Sequence, residues 1–138
     1  MNKEEITFID SNIIIYVLMK DPEYGERALR HLYRVESGEI RGVMSTLVLS
    51  QIYAHLKRRG KMEVIEKFSS YVEESPIYII DTTYSDFLNA WEIKKEYNLT
   101  WKIWDDLVIA AQMRRAGITN ILSNDVDFDK IPFIKRIF

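Results

Sequence analysis

The chain of 138 residues contains no cysteine and only two histidines. The absence of cysteine excludes disulfides, zinc–thiolate sites and a cysteine nucleophile, and two histidines are too few for a histidine-rich metal site. Long apolar runs are also missing, since the longest, from Ile13 to Met19, has seven residues, whereas a membrane span needs about 20. The N-terminal residues show no secretory signal pattern. We therefore expect a cytoplasmic protein with no membrane partner.

Glycine and proline are scarce, with five and three residues, and no linker rich in Gly, Ser or Pro divides the chain. We expect a single domain over residues 1–138, a length usual for one domain. Neither sign of charge dominates, because 19 Lys and Arg stand against 21 Asp and Glu and give a net charge of −2. The total alone does not indicate a surface coated in positive charge for nucleic acid.

Short apolar segments rich in β-branched residues alternate with longer segments of helical periodicity. Five such segments are predicted to be strands: 6–9, 42–45, 77–80, 120–123 and 133–138. Two helices are predicted between the first and second strands, the second and third, and the third and fourth, and none between the fourth and the fifth. This order favours an α/β fold, a three-layer sandwich with a mainly parallel central sheet of four or five strands flanked by helices. In the helix that follows the third strand, periodicity predicts a core-facing stripe of Tyr84, Phe87, Leu88 and Trp91.

Polar side chains follow the predicted strands at the point where each strand ends. They are Asp10, Ser45, Asp81, Ser123, Asn124, Asp125 and, slightly later, Asp127. Asp105 and Asp106 open the helix before the fourth strand. Each acid alone is commonly a turn former or a helix cap. Because ligands of open parallel sheets bind at the carboxyl ends of the strands, we expect several of these carboxylates to converge on one small volume.

Clustered carboxylates repel one another and raise one another's pKa unless a cation lies among them. Carboxylate oxygens without His or Cys suit a hard cation such as Mg²⁺ or Mn²⁺. Such a site favours phosphodiester hydrolysis, in which the metal activates water and offsets charge on the phosphate. This chemistry requires no nucleophilic side chain, in agreement with the missing cysteines.

Three segments carry a family resemblance: FIDSNIII near the N-terminus, STLVLSQIY in the middle and WDDLVIAAQMRRAGITNILSNDVDF near the C-terminus. Together they resemble a PIN domain over nearly the whole chain, in that family's order and spacing. PIN domains are α/β nucleases that bind Mg²⁺ or Mn²⁺ through clustered acids. Many small prokaryotic members resemble the toxin half of VapBC-type toxin–antitoxin pairs. The resemblance implies a metal-dependent endoribonuclease with an RNA substrate, a small antitoxin partner and a homodimeric state.

The resemblance also implies roles for individual residues. It assigns Asp10, Asp105 and Asp125 as catalytic metal ligands and Asp127 as an auxiliary ligand. It further implies that the site is supported by Asn12, Ser45, Gln51 and Ser123. Asp106 is expected to be a poor substitute for a missing acid, because adjacent helical residues point about 100° apart.

The sequence departs from the family pattern at Gln51, six residues after Ser45, where the family has Glu. A Gln carbonyl oxygen can ligate Mg²⁺, but it brings no charge and cannot act as a base. We therefore expect weaker metal binding than in a relative with four acids. The alternative is a PIN-like module that binds RNA or protein and has lost cleavage.

Six cations form candidate contacts with an RNA backbone, although each also suits a helix C-terminus. They are Lys57, Arg58, Arg59, Lys61, Arg114 and Arg115. Two other enzyme or signalling classes fit less well. A haloacid-dehalogenase-like phosphatase needs an acid where the chain has Asn12, and a receiver domain needs paired acids near the first strand, where only Asp10 is present.

Overall fold

The structure is a computed structural model that describes residues 5–138. Five strands are present in this range: β1 (Glu5–Ile9), β2 (Ile40–Ser45), β3 (Tyr78–Ile80), β4 (Asn120–Leu122) and β5 (Lys135–Ile137). The helices are α1 (Ser11–Leu18), α2 (Gly25–Glu36), α3 (Thr46–Arg58), α4 (Met62–Glu74), α5 (Tyr84–Glu96) and α6 (Trp104–Ala116). Two 3₁₀ helices, Trp101–Ile103 and Val126–Lys130, precede α6 and β5.

The five strands form one sheet in the order β3-β2-β1-β4-β5, and every neighbouring pair is parallel. β1 lies at the centre, where Phe8 and Ile9 are fully buried. Helix α1 packs against α2 and α3, α3 packs against α4, and α5 packs against α6. This architecture confirms the predicted α/β fold with a parallel central sheet flanked by helices.

Local sequence signals explain where several helices begin and end. The Ser45 hydroxyl accepts a hydrogen bond from Val48 N and caps α3 directly after β2. Thr83 and Asp86 form a reciprocal capping box at the start of α5. Gly117, with a φ of 72°, ends α6 in the left-handed conformation that glycine adopts without strain. The signals at Ser45 and Thr83 fix which residues follow β2 and β3 at the carboxyl edge of the sheet.

The predicted core-facing stripe of α5 is wrong. Tyr84, Phe87, Leu88 and Trp91 are exposed, with 39% to 76% of their surface accessible. The buried face instead consists of Asp86, Ala90 and Ile93. The apolar periodicity predicted the wrong buried face of α5 because a charged residue, Asp86, occupies a buried position in its first turn.

Helix α6 is buried on all sides, from Leu107 through Met113. Its first turn is less buried, since Asp105 is exposed and Asp106 is partly buried. Among the helices of residues 5–138, none combines the length and apolarity needed to cross a membrane.

Candidate active site

Strand register brings the first acid and a hydroxyl together. Ile9 pairs with Leu122 across β1 and β4, so the next residues, Asp10 and Ser123, emerge side by side. The Ser123 hydroxyl donates to Asp10 Oδ2 at 2.6 Å, and Ser11 N donates to Asp10 Oδ1 at 2.8 Å. Asn12 Nδ2 adds a third bond to Asp10 Oδ2 at 3.2 Å. The carboxyl group of Asp10, 5% exposed, is thus held in one orientation.

The loop after β4 is fixed by the same group of side chains. Asp125 N donates to the Ser123 hydroxyl at 3.0 Å, and Asp127 N donates to Asp125 Oδ1 at 2.9 Å. Asn12 Oδ1 accepts from Asn124 N at 3.3 Å. Hydrogen bonds of Asn12 and Ser123 therefore connect the end of β1 to the acidic loop.

Three carboxylates meet where this loop faces the first turn of α6. Oxygen atoms of Asp106, Asp125 and Asp127 all lie within 4.8 Å of one another. Burial, together with a hydrogen bond to Asp125 and the charges of Asp125, Asp10 and Asp127, raises the pKa of Asp106 to about 9. The cluster therefore carries more negative charge than the protein alone stabilises.

The same repulsion reaches Asp10. Burial raises its pKa to about 6, with a smaller contribution from the charge of Asp125, although hydrogen bonds from Ser123 and Ser11 oppose the rise. Lys130 Nζ contacts Asp127 Oδ1 at 2.9 Å and offsets part of the negative charge at the outer side. A divalent cation between these oxygens would remove the repulsion that raises the pKa of both Asp10 and Asp106.

An open cleft of about 460 Å³ surrounds the carboxylates. Its wall includes the four acids described above, Ser11, Asn12, Gln51, Asp105 and the segment Trp101–Trp104. Asp105 is exposed, and its Oδ2 accepts a hydrogen bond from Gln51 Nε2 at 3.2 Å. It lies in the cleft wall but outside the group of three close carboxylates.

The acid that α6 contributes to that group is therefore Asp106, where the sequence pointed to Asp105. Adjacent helical side chains point about 100° apart, and it is Asp106 that turns toward Asp125. The apolar pattern of α6 could not distinguish them, because the residues three and four positions further on, Val108, Ile109 and Ala110, are all buried. If α6 were buried on one face only, its apolar residues would have indicated which side faces the loop that carries Asp125 and Asp127.

Gln51 also lies in the cleft wall, beside Asp105. Its Nε2 donates to Asp105, whereas its Oε1 is buried without a hydrogen-bond partner among the described residues. Ser45 does not line the cleft, and its fully buried hydroxyl caps the helix that carries Gln51. Ser45 thus fixes where the helix that carries Gln51 begins.

The six candidate RNA-contacting cations lie in two different environments. Those at the C-terminal end of α3 are exposed: Lys57, Arg58, Arg59 and Lys61. Arg58 is seven residues beyond Gln51, or about 10 Å along the helix away from the cleft. Arg114 pairs with Glu96, and Arg115 binds Asp86 through two hydrogen bonds of 2.8 and 3.0 Å. The last two cations are therefore engaged in holding α5 against α6.

The donor set fits a hard divalent cation. All the close ligand atoms are carboxylate oxygens, and the unpaired Gln51 Oε1 in the same wall is a neutral oxygen donor. The raised pKa of Asp106 marks a position where added positive charge stabilises the folded chain. If these carboxylates had only a structural role, no cation would offset the repulsion among them.

The chain is similar to known proteins in sequence and in fold. Residues 7–134 match the sequence profile of the PIN domain. A 75-residue stretch is 33% identical to ribonuclease VapC6 of Methanocaldococcus jannaschii, covering 54% of this chain and 47% of the relative. The matched region thus spans about half the length of that curated relative.

Solved structures show the same fold. The crystal structure of Mycobacterium tuberculosis VapC20, described as a toxin that cleaves the sarcin–ricin loop, superposes with a TM-score of 0.75 at 19% identity, over 91% of this chain and 93% of that one. VapBC2 of Rickettsia felis, bound to promoter DNA, gives a TM-score of 0.69 at 20% identity over 96% and 97%. The profile match over most of the chain, the parallel five-stranded sheet and the acids at its carboxyl edge together show that this chain belongs to the PIN domain family.

Proposed function

We propose that this chain is a divalent-metal-dependent endoribonuclease in which Asp10, Asp106, Asp125 and Asp127 hold Mg²⁺ or Mn²⁺. The observation that carries the proposal is the convergence of Asp106, Asp125 and Asp127 within 4.8 Å, with Asp10 close enough to raise the pKa of Asp106. Asp105 and Gln51 lie in the same cleft wall, where the exposed carboxylate of Asp105 is available to the substrate or to water around the ion.

The protein's own part in the reaction is positioning. When bound, the metal supplies positive charge beside the scissile phosphate and lowers the pKa of the attacking water. Hydrogen bonds from Ser123, Ser11 and Asn12 hold the Asp10 carboxylate, and the turn at Asp125 presents the loop acids. The cleft is open to solvent on one side, so that a phosphodiester in a longer strand can enter without threading an end.

The biological setting is proposed from the relatives. The curated relative is a ribonuclease of the VapC type, and solved VapBC complexes share the fold. We propose that this chain is the toxin of such a pair, with a small antitoxin protein as partner and a homodimer as the working form. RNA is the substrate, and the four exposed cations near the end of α3 are available to contact its backbone away from the cleft.

The test of the proposed function is cleavage of RNA in the presence of Mg²⁺ or Mn²⁺. We expect cleavage by the natural chain, no cleavage with EDTA, and a loss of at least about 100-fold in Asp10→Asn, because a ligand carboxylate is removed. Asp81→Asn is the matched control, since Asp81 is an exposed acid after β3 that does not line the cleft. Equal cleavage by Asp10→Asn and Asp81→Asn would contradict the proposal.

Metal-supported RNA binding without cleavage would favour the second candidate, a PIN-like binding module. The observation behind this candidate is the neutral Gln51 where the family pattern has an acid.

Gln51→Glu is expected to tighten Mn²⁺ binding by about tenfold and to raise the cleavage rate, because affinity for hard cations increases with the number of ligand charges. Without metal the same change places a further carboxylate beside Asp105 and adds repulsion. Gln51→Met removes the amide without adding charge and serves as the control. If titration with Mn²⁺ gives one affinity and one cleavage rate for all three proteins, position 51 does not act on the metal.

A further inference from the structure

One arginine contacts both ends of the loop that follows β4. Arg136 lies on β5, the edge strand beside β4. Its Nη1 donates to the carbonyl oxygen of Ser123 at 3.3 Å, and its Nε and Nη2 donate to the two carboxylate oxygens of Asp129 at 3.0 and 3.1 Å. Residues 123–129, here called the acidic loop, carry two of the acids that we propose to hold the metal. Arg136 therefore connects the start of this loop directly to its end.

The start of the acidic loop is held through both polar groups of the Ser123 backbone. Ser123 N donates to Ile137 O of β5 at 3.0 Å, while Ser123 O accepts from Arg136. The Ser123 hydroxyl in turn donates to Asp10 at 2.6 Å and accepts from Asp125 N at 3.0 Å. A displacement of Ser123 would therefore change the position of Asp125 relative to Asp10.

The end of the acidic loop lies in the 3₁₀ helix Val126–Lys130, which carries Asp127 and Asp129 two residues apart. Phe128, between them, is fully buried and anchors this short helix to the core. A single anchored ring does not prevent rotation of the helix about that contact, and such a rotation would move the Asp127 carboxylate. The two hydrogen bonds from Arg136 to Asp129 supply a second fixed point.

The geometry of this contact suits arginine and no other side chain. A guanidinium presents five donors in a rigid plane, so it can bind a carboxylate with two of them and a carbonyl with a third, whereas a lysine ammonium is a point charge. The Arg136 side chain is 22% exposed and that of Asp129 is 54% exposed. Ion pairs open to solvent contribute less than about 1 kcal/mol to stability. We therefore expect the contact to act on the position of the loop more than on the free energy of unfolding.

We propose that Arg136 is a positioning residue that holds the acidic loop in the shape needed to bind the metal, an inference that rests on the proposed function. Arg136 does not line the cleft, so it acts on the site through the loop. Its removal lets the loop carboxylates move relative to Asp10. Metal binding then weakens, because the ligands are no longer held at the required spacing.

Charge and position predict opposite effects of one substitution. Arg136→Met removes a positive charge near the acids, which through charge alone would tighten Mn²⁺ binding. Loss of positioning weakens it, and we expect calorimetric titration to show an affinity lower by about tenfold. Arg136→Lys keeps the charge without the three-donor contact and should recover only part of the affinity.

Arg34→Met is the matched control for this titration. It makes the same change in charge at an ion pair, with Glu39, that does not line the cleft. Its affinity for Mn²⁺ should equal that of the natural chain.

A second measurement requires no metal. The amide N–H groups of Asp125 and Asp127 donate hydrogen bonds within the acidic loop, so their exchange with solvent in EDTA reports on the order of the loop. We expect both to exchange about tenfold faster in Arg136→Met, in proportion to the loss of affinity. The amides of β1 should exchange at the rates of the natural chain, because the contact acts locally.

The proposal is overturned if Arg136→Met binds Mn²⁺ as tightly as Arg34→Met, if the exchange of the two loop amides does not change, or if exchange accelerates equally in β1. Failure of the proposed function gives a different result. A natural chain that binds no Mn²⁺ removes the metal site and with it the role of Arg136. Binding of equal strength in the natural chain and Arg136→Met keeps the metal site and removes only the role of Arg136.

Discussion

Asp106→Asn is expected to abolish metal-dependent cleavage and, in the same protein without metal, to raise the free energy of unfolding at neutral pH. Both effects have one cause. Asp106 lies among Asp125, Asp127 and Asp10, and burial with their charges raises its pKa to about 9. The α6 side chain that we propose as a metal ligand is therefore also the one whose charge most destabilises the folded protein without metal.

The pH dependence follows from the two raised pKa values. In the unfolded chain both Asp10 and Asp106 lose their protons near pH 3.8, whereas the folded chain retains them up to about pH 6 and pH 9. Between these limits the folded state binds more protons, so the free energy of unfolding falls as pH rises. Without metal, the melting temperature should therefore decrease steadily from about pH 4 to pH 9.

In Asp106→Asn the larger of these two contributions is absent, so the decrease should be much shallower. At pH 7 the free energy of unfolding of Asp106→Asn should exceed that of the natural chain by about 2 kcal/mol, a value discounted for the partial exposure of Asp106. For a chain of this size the difference corresponds to about 6 °C in melting temperature. Thermal unfolding in EDTA at several pH values measures it. Asp105→Asn is the control: because Asp105 is exposed, its slope should match that of the natural chain. A steeper slope in Asp106→Asn would contradict the assignment.

Addition of Mn²⁺ should make the natural chain more stable than Asp106→Asn, the reverse of the order expected without metal. A cation bound only to the folded state raises the melting temperature of the natural chain, and it should leave Asp106→Asn nearly unchanged.

Asp86→Ala is expected to destabilise the fold by about 3 kcal/mol, because it removes a fully buried carboxylate and the charge-assisted hydrogen bonds that this carboxylate accepts. The Asp86 carboxylate is fully buried and accepts from Arg115 Nε, Arg115 Nη2 and Thr83 N at 2.8, 3.0 and 2.8 Å. Burial opposes ionisation here, but the Arg115 guanidinium and the Thr83 amide outweigh it and lower the pKa of Asp86. The charge is therefore present across the neutral range and connects α5 to α6.

Urea denaturation of Asp86→Ala measures this effect, with Glu96→Ala as its control. Glu96 pairs with Arg114 between the same two helices, but both side chains are about half exposed. Exposed pairs contribute less than about 1 kcal/mol. Equal losses in the two variants would show that the Asp86 network does not hold the helices together.

Much of the site could be predicted from the sequence because parallel strands place their carboxyl ends at one edge. Asp10 and Ser123 directly follow paired residues of β1 and β4, and the structure joins them by a 2.6 Å hydrogen bond. The capping signals at Ser45 and Thr83 also correspond to observed helix starts. Such features depend on residues adjacent in sequence, for which local patterns are informative.

Two features could not be predicted, and both depend on which side of a helix faces its neighbours. Helix α6 is buried all round, so its apolar pattern does not tell Asp105 from Asp106. In α5, the buried carboxylate of Asp86 is compensated by Arg115, 29 residues away in sequence. Because this long-range pair holds Asp86 on the buried side of α5, Phe87 and Trp91 lie on its exposed side. The apolar periodicity had predicted both residues to lie in the core.

We propose Asp106, rather than Asp105, as the residue of α6 that binds the metal. Calorimetric titration of Mn²⁺ into the natural chain, Asp105→Asn and Asp106→Asn tests it most directly, because the two substitutions are chemically identical and adjacent. We expect Asp106→Asn to weaken binding by at least about 100-fold and Asp105→Asn to bind nearly as tightly as the natural chain. Loss of binding in Asp105→Asn with binding retained in Asp106→Asn would contradict the account.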